Sequence, residues 1–363
     1  MLVQAESLKR IVSAILEKGG SCNNESQVVA DHLLRANLAG HDSHGVGMLP
    51  KYVKMLKAKL LFPNQEPEIV KTNGSIMMLD GKRGYGQAVG KMAMEQAIEK
   101  CRETGLVLMT LRNSHHLGRI GTYGEQSIEA GMVSMHFVNV TDHFPLVAPY
   151  RGSDARFSTN PICLAMPGTK KQSPVLLDMA TSRIALGKAR VAINKNETLE
   201  DGLVLDHKGQ PSNNPGVMAG YLYPEKEDNP PLGALTPLGE YKGYGLALFC
   251  ELFGGVLSGG GTIQPGNIRH DSIINNMFTL LINPVKLVDI PWMQHEIEEI
   301  TSFCKKSPPA DTEEPVLIAG DPERLKEQER KENGIPVDKT TWRQIIEGGE
   351  TLGLSLIEIE QML

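Results

Sequence analysis

The 363-residue sequence has no apolar run of 18 or more residues, so nothing in it reads as a transmembrane helix. It has no CxxC pair. Its five cysteines, Cys22, Cys101, Cys163, Cys250 and Cys304, are odd in number and widely spaced, which argues against a disulfide framework and for a reducing cytoplasm. It has no excess of basic charge: 37 Lys and Arg stand against 43 Asp and Glu, a net charge of -6, so a nucleic-acid partner is not expected. The opening MLVQAESLKRIVSAILEKGG does not read as a secretory leader, because no basic segment precedes an apolar run and charges recur every few residues. Glycine (37) and proline (22) are ordinary for a loop-rich enzyme and exclude low complexity.

The common catalytic signatures are missing too. There is no GxxxxGK[ST] phosphate loop, no HExxH, and Ser43 in GHDSHG lacks the GxSxG elbow spacing. The nearest approach to a dinucleotide fingerprint is Gly84-Tyr85-Gly86-Gln87-Ala88-Val89-Gly90. Its third glycine comes one residue late, so it reads as a glycine-rich helix entry. His41 and His44 have metal-like spacing but no third ligand nearby, and no metal site is expected.

What is present fits two domains, given the length and 40% apolar content. Leu8, Ile11, Val12, Ile15 and Leu16 form an apolar helical stripe. Asn24 to Gln27 reads as a capping box for a second helix carrying Val28, Val29, Leu33, Leu34 and Leu38, and a third helix is expected near Pro50 with Tyr52, Val53 and Leu56 on one face. From about residue 68 the period changes. Strands are expected at 75–80, 105–111, 132–140, 161–167, 174–180 and 273–282, with helices between some of them and no clean βαβ alternation. LALFCELFGGVLSGGG (246–261) reads as an apolar helix ended by glycines, 294–333 as exposed helix and loop, and Thr340 to Leu363 as two short helices.

Two loops each place Ser beside His: AGHDSHGVGMLPKYV (39–53) and LRNSHHLGRIGTYGEQ (111–126). A loop histidine is usually a surface or structural residue. Two such loops point instead to a cleft, where an imidazole with an ordinary pKa of about 6.5 exchanges protons near neutral pH. TDHFPLVAPYRGSDARFSTNPICLAMP (141–167) is either an irregular connector or a loop offering N–H groups to a phosphate. In LLDMATSRIALGK (176–188), Asp178 ends a strand and ATS opens a helix that Asp178 would cap; in EYKGYGLALF (240–249), Lys242 at a helix start suggests a nearby anion or is simply solvated.

Taken in order from Asp42 to Leu248, the DSHG loop, the SxHxG loop, the TNP loop, the LDxATS turn and the KGYGLAL helix resemble the malate/L-lactate dehydrogenase family of the second type, distinct from the Rossmann-fold lactate and malate dehydrogenases. The wording DSHGVGM and NSHHLGRIG is closest to its hydroxycarboxylate dehydrogenase B subgroup. The resemblance implies an α+β fold: a non-Rossmann NAD(P)-binding mixed-sheet domain, expected at 73–284, plus a helical domain built from both chain ends, expected at 1–72 with 285–363. It implies NAD or NADP as cofactor, a small 2-oxo or 2-hydroxy acid as substrate, and a homodimer. By the same resemblance His116 is the proton donor and acceptor, and Ser43 and His44 line the nicotinamide and substrate. Gly118, Arg119, Ile120, Leu176, Leu177, Asp178, Met179, Ala180 and Lys242 contact the cofactor, and Asn160 lies near the nicotinamide.

The sequence departs from the family's pattern at one place. Many members read SHGVxR, whose Arg suits a substrate carboxylate; here the residue is Met48. Another donor must serve, and Arg119, Arg183 and Arg190 are the candidates. Met is apolar and adaptable, which suggests aryl side chains on the substrate. The expected activity is NAD(P)-dependent reduction of 2-oxo acids and the reverse oxidation. The alternatives are reduction of a cyclic imine carboxylate, a non-catalytic NAD(P)-binding protein, and a metal-dependent hydrolase using His41, His44 and His116.

Overall fold

The computed structural model describes residues 1–224 and 226–363. A two-residue strand β1 (Leu2–Val3) leads into helix α1 (Ala5–Lys18). The stripe Leu8, Ile11, Val12, Ile15 and Leu16 recurs at helical spacing, and all five side chains are buried. Each contributes about 1.5–3 kcal/mol of apolar burial before the entropy cost. Helix α2 (Asn23–Leu38) starts one residue before the expected capping box, and no box forms. Its N-cap is Cys22, whose backbone N–H donates to Asn64 Oδ1 at 2.7 Å, so a distant loop supplies the cap. Two short 3₁₀ turns, Asp42–His44 and Val46–Met48, carry the chain into α3 (Leu49–Lys57).

The next segment builds a sheet: β2 (Glu68–Asn73), β3 (Ile76–Asp80), helix α4 (Gly86–Thr104), β4 (Leu106–His115), α5 (Gly121–Glu129), β5 (Val133–Thr141), β6 (Ile162–Met166) and β7 (Val175–Met179). Helix α6 (Leu186–Lys195), a small sheet of β8 (Val204–Leu205), β9 (Pro211–Ser212) and β10 (Ala234–Leu235), and the turn-length helix α7 (Ala219–Leu222) follow. Helix α8 (Tyr241–Cys250) passes into a π-helical stretch, Glu251–Leu257, before β11 (Ile274–Ile282). The chain closes with α9 (Ile290–Lys305), α10 (Asp321–Asn333), β12 (Ile335–Pro336), α11 (Lys339–Thr351) and α12 (Leu356–Glu360).

The large sheet is mixed, in the order β2-β3-β4-β11-β5-β6-β7. Only β3 and β4 run parallel, joined through α4; every other pair is antiparallel. Strand β11 arrives late in the chain and inserts between β4 and β5. The expected strands at 75–80, 105–111, 132–140, 161–167, 174–180 and 273–282 all form. Strand β2 was not anticipated: all six of its residues are exposed, so it lacks the apolar alternation that marks a half-buried strand.

Both chain ends meet. β1 pairs antiparallel with β12, and Met1 N donates to Val337 O at 2.8 Å. One apolar cluster joins α1, α2 and α3 to Ile335, Val337, Ile345, Leu354 and Ile359. A second packs α4 and α5 on the sheet, and a third lies around α6. A cavity of about 940 Å³ opens where these three bodies face one another.

Candidate active site

His116 follows the last residue of β4, where the chain breaks from the sheet and turns into α5. Two features force that turn. Leu117 N–H donates to Asn275 Oδ1 of β11 at 2.8 Å, and Gly118 takes φ +75, a left-handed conformation that a side chain resists. The glycine-rich entry to α4 serves this packing. A Cβ on Gly86 would collide with the carbonyl oxygens of His115 and His116, so its absence lets the helix start lie against the His116 backbone.

His44 comes from the 3₁₀ turn between α2 and α3. Asp42, two residues before it, is gripped by Arg330 of α10 in a two-pronged contact, 2.6 Å at Oδ1 and 2.9 Å at Oδ2. Asn37 Nδ2 donates to the same Asp42 at 2.6 Å, and Asn37 Oδ1 accepts from Val46 N–H at 2.8 Å. The turn carrying Ser43 and His44 is therefore held from both sides.

These supports bring the two histidines together. His44 Nδ1 lies 3.2 Å from His116 Nε2, with the rings stacked at 5.3 Å. On its far side His116 Nδ1 meets Tyr52 Oη at 2.7 Å, and Gln87 Nε2 donates to that same oxygen at 2.6 Å. Tyr52 and Gln87 are fully buried. With the amide donating, the phenol proton is free for His116 Nδ1; neutral His116 then carries its proton on Nε2, toward His44 Nδ1. That leaves His44 Nε2 as the end of the chain, on a residue that lines the cavity. Both ring nitrogens of His116 are thus engaged by protein, although His116 itself touches the cavity wall.

Burial lowers both imidazoles. His44 is driven down to about 4, chiefly by desolvation, with Asp178 opposing and His41 and Arg119 adding to it. His116 is driven well below its ordinary value by burial first and then by the charges of His44, His115, His32 and Lys51. Burial also raises the Tyr52 phenol, so the chain is neutral at pH 7.

Of the remaining residues expected at the site, Ser43, Gly118 and Ile120 line the cavity, as does Met48. Arg119 does not. Its side chain is fully buried, 2.9 Å from Glu125 Oε1 as an ion pair off the hydrogen-bond line, with Nε 3.7 Å from Asp178 Oδ2. Asp178 Oδ2 accepts from Gly121 N–H at 2.7 Å, so it caps α5. The helix expected to open at ATS begins only at Leu186, which corrects the reading that Asp178 caps it. Leu176, Leu177, Asp178, Met179 and Ala180 lie on or just after the edge strand β7, away from the cavity wall. Asn160 is buried and spends its amide N–H groups on Glu251 Oε1 at 2.9 Å and Ala247 O at 3.1 Å, while Thr159 and Pro161 beside it line the cavity. Lys242 is the exposed second residue of α8, outside the cavity. His41 turns to Glu323, with Nε2 3.3 Å from Oε1, and does not join His44 at one point; among the described residues no group of three or more His, Cys, Asp and Glu is placed to hold a metal ion.

Tyr52 was legible only as an apolar helix face, and Gln87 only as part of a glycine-rich turn. Neither carries a local mark of its tie to His116, because that tie spans 64 residues for Tyr52. The one available signal was Tyr52's place one turn into the helix that follows the DSHG loop.

The paired histidines lie at the wall of the cavity beside the mixed sheet. A family model for malate/L-lactate dehydrogenase matches residues 3–346, and the chain belongs to that family. It is an oxidoreductase acting on the CH–OH group of hydroxy acids, and the family implies a nicotinamide cofactor. The chain is 42% identical to hydroxycarboxylate dehydrogenase B of Escherichia coli (strain K12), over 96% of this chain and 94% of the relative. It is 38% identical to an L-lactate dehydrogenase of Cupriavidus necator, over 90% and 91%. Among solved structures, the sulfolactate dehydrogenase of Methanocaldococcus jannaschii superposes with a TM-score of 0.83 at 32% identity, covering 99% of each chain.

Proposed function

We propose that the protein reduces 2-oxo acids to 2-hydroxy acids with NADH or NADPH, catalyses the reverse oxidation, and accepts bulky or aryl side chains. The observation that carries this reading is the hydrogen-bonded chain Gln87–Tyr52–His116–His44, whose end residue lines a cavity of about 940 Å³. The cavity has the volume for a nicotinamide and a small acid together. Its wall offers Ile120, Val138 and Val140 to a flat ring, and Ser158 and Thr159 to an amide, so the residues present fit the cofactor. A bound reduced nicotinamide supplies the hydride to C2.

His44 Nε2 gives the proton to the developing alkoxide oxygen, and His116 stands behind it. This revises the expectation that His116 meets the substrate directly, because both of its ring nitrogens already have partners. When the pair carries the extra proton, His44 Nδ1–H donates to His116 Nε2, and the His116 proton moves to Nδ1 and donates to Tyr52. A phenol oxygen serves either tautomer, donating in one state and accepting in the other. In the oxidative direction, the neutral pair takes the hydroxyl proton at His44 Nε2 from its other tautomer, in which His44 Nδ1–H donates to His116 Nε2 and His116 Nδ1–H donates to Tyr52. Met48 at the cavity wall leaves apolar room for a larger substrate side chain.

The domain division expected from the sequence, 1–72 with 285–363 and 73–284, is retained as part of this reading, supported by the pairing of β1 with β12 and the apolar cluster shared by the two ends. A homodimer is supported by the run of exposed apolar side chains Leu246, Leu248, Phe249, Leu252, Val256 and Leu257 on α8 and its π-helical extension. Placement in the cytoplasm is supported by five unpaired cysteines. No helix among the described residues is long and apolar enough to cross a membrane.

The test is NADH and NADPH oxidation against pyruvate, oxaloacetate, phenylpyruvate, 4-hydroxyphenylpyruvate, glyoxylate and a cyclic imine. Turnover of the aryl acids supports the reading. Turnover of the imine alone moves the enzyme to C=N reduction, and cofactor binding without any turnover leaves a binding protein.

A further inference from the structure

The substrate of this reading is an anion, and Met48, which lines the cavity with His44, is apolar. The cavity must therefore offer a cation close to His44. In a 2-oxo acid the carboxylate carbon is bonded directly to C2, so the group that binds it and the group that protonates the C2 oxygen must converge within a few ångströms. A cation elsewhere on the wall does not satisfy that requirement.

The three arginines raised by the sequence separate cleanly. Arg119 is sealed beneath the wall and paired with Glu125 and Asp178. Arg183 is exposed, off the cavity wall, and donates from Nη1 to Gly202 O at 3.1 Å. Arg190, on the second turn of α6, lines the cavity with Ser43, His44, Gly47 and Met48. A Cβ built on Gly47 would lie 3.7 Å from Arg190 Nη2. The guanidinium thus reaches the residue immediately before Met48, arriving from a different element. One turn earlier, Gly187 packs on Ser43, where a Cβ would lie 3.0 Å from the Ser43 Cβ, so the start of α6 rests directly on the segment that carries His44.

Arg190 is half-buried, and no other described residue gives it a hydrogen bond or an ion pair. Asp338 is near enough to feel its charge, but both Asp338 oxygens are taken by Thr341, from N–H at 2.9 Å and from Oγ1 at 2.6 Å. An unpaired, partly desolvated guanidinium costs free energy that a bound anion would recover. The other cations on the cavity wall are Lys51, Lys54 and Lys57. Lys51 acts on His115, His116 and His143 and itself feels Lys54 and Asp271, so it stands on the His116 side of the site, whereas Arg190 lies against Gly47 on the segment that carries His44.

We propose that Arg190 is the carboxylate-binding and specificity-determining residue of this enzyme, replacing from α6 the clamp that Met48 cannot provide. The inference rests on the proposed 2-oxo acid chemistry. Its planar fork matches a carboxylate in two parallel N–H···O bonds, which a Lys does not reproduce.

The test compares wild type, Arg190→Met, Arg190→Lys, Lys51→Met and the double variant Met48→Arg/Arg190→Met. Phenylpyruvate, its methyl ester and the non-reacting 2-oxo acid mimic oxamate serve as probes. Arg190→Met is expected to lower kcat/KM for phenylpyruvate by about 30- to 1,000-fold, the range for removing one partner of a desolvated charge pair. The weak activity on the ester and the KM for the nicotinamide stay within about threefold of wild type. Arg190→Lys recovers part of the loss, and Met48→Arg added to Arg190→Met recovers part of it from the other position. Because Arg190 makes no hydrogen bond or ion pair with a described residue, the melting temperature of Arg190→Met stays close to wild type. The proposal is overturned if Arg190→Met keeps kcat/KM for phenylpyruvate within threefold, or if Lys51→Met shows the larger loss. Calorimetric binding of oxamate separates the two readings. Arg190-dependent binding without turnover of any 2-oxo acid by wild type sinks the reaction but keeps the clamp. Turnover that ignores Arg190 keeps the reaction and sinks the clamp.

Discussion

Replacing Tyr52 by Phe isolates one hydroxyl in the chain that ends at His44. The ring stays, with its edge contacts to Tyr85 and His115, so packing volume is unchanged. The loss strands two buried groups, Gln87 Nε2 and His116 Nδ1, which have no other recorded partner. Each orphaned group costs about 1–3 kcal/mol, partly offset by no longer burying the hydroxyl, so a stability loss of about 2–4 kcal/mol is expected in urea unfolding. The catalytic effect has a different signature. Tyr52 is not on the cavity wall, so KM for substrate and cofactor should hold within about threefold. Without the phenol, neither tautomer of His116 is held and the protonated pair loses its acceptor at Nδ1. One lost hydrogen bond of this kind is worth about 1.4–2.3 kcal/mol in the transition state, a fall in kcat of roughly 10- to 50-fold. Steady-state kinetics of Tyr52→Phe, Gln87→Leu and the double variant measure this directly. If the residues act as one chain, the double variant falls little further than Tyr52→Phe alone. A Tyr52→Phe enzyme with normal kcat despite the stability loss would show that the phenol only fills and braces the core.

The remaining predictions concern the histidines and the latch beneath them. His44→Gln and His116→Gln should each cost about 10²–10⁴-fold in kcat, with the double variant no worse than the weaker single one. Because burial holds His44 near 4 in the free enzyme, log kcat/KM for reduction should rise by about one per unit as pH falls from 8 to 6, while oxidation stays flat; a flat reductive profile refutes the assignment. Folded His32, His115 and His136 are lowered to about 3 and His44 to about 4. The unfolded chain therefore takes up protons first, and stability present above pH 6.5 is lost as pH falls below it. At pH 5 each of these four histidines accounts for about 2 kcal/mol, on the order of a whole domain's stability in sum. The urea midpoint should collapse between pH 6.5 and 5, before carboxylates titrate; a midpoint unchanged across that window contradicts the burial argument. Arg330→Met should lower kcat roughly tenfold with a melting-temperature loss of a few degrees, because the Asp42 turn that aims His44 loosens while the 48%-exposed Asp42 carboxylate stays hydrated. Unchanged kcat would mean that Asn37 alone holds the turn.

The elements most legible from sequence were those whose signal is local. The α1 stripe, the strands with β-rich runs and the polar helix α10 each carry a pattern within one or two turns, and each formed. Element ends were less legible wherever the cap came from afar, as with Asn64 at the start of α2. The two histidine loops were legible because a Ser/Gly/Asn setting is a poor place for core filling, and the family wording tied them together. The direction of the chain through His116 was not, since it depends on which ring nitrogen meets which neighbour.

The sequence by itself determined the period of each segment, the apolar faces to be buried and the residue types available for proton transfer, because these follow from side chains a few positions apart. Only the tertiary structure decided which strand lies beside which, placing β11 between β4 and β5, and which distant side chains meet. Asp178 was free to cap any helix start brought near it, and the sheet edge delivered it to α5. Arg119, Arg183 and Arg190 are chemically equivalent in sequence. Burial against Glu125 and Asp178, exposure beside Gly202 and projection over Gly47 gave them three different fates, because a guanidinium's role is set by what surrounds it and how much water remains.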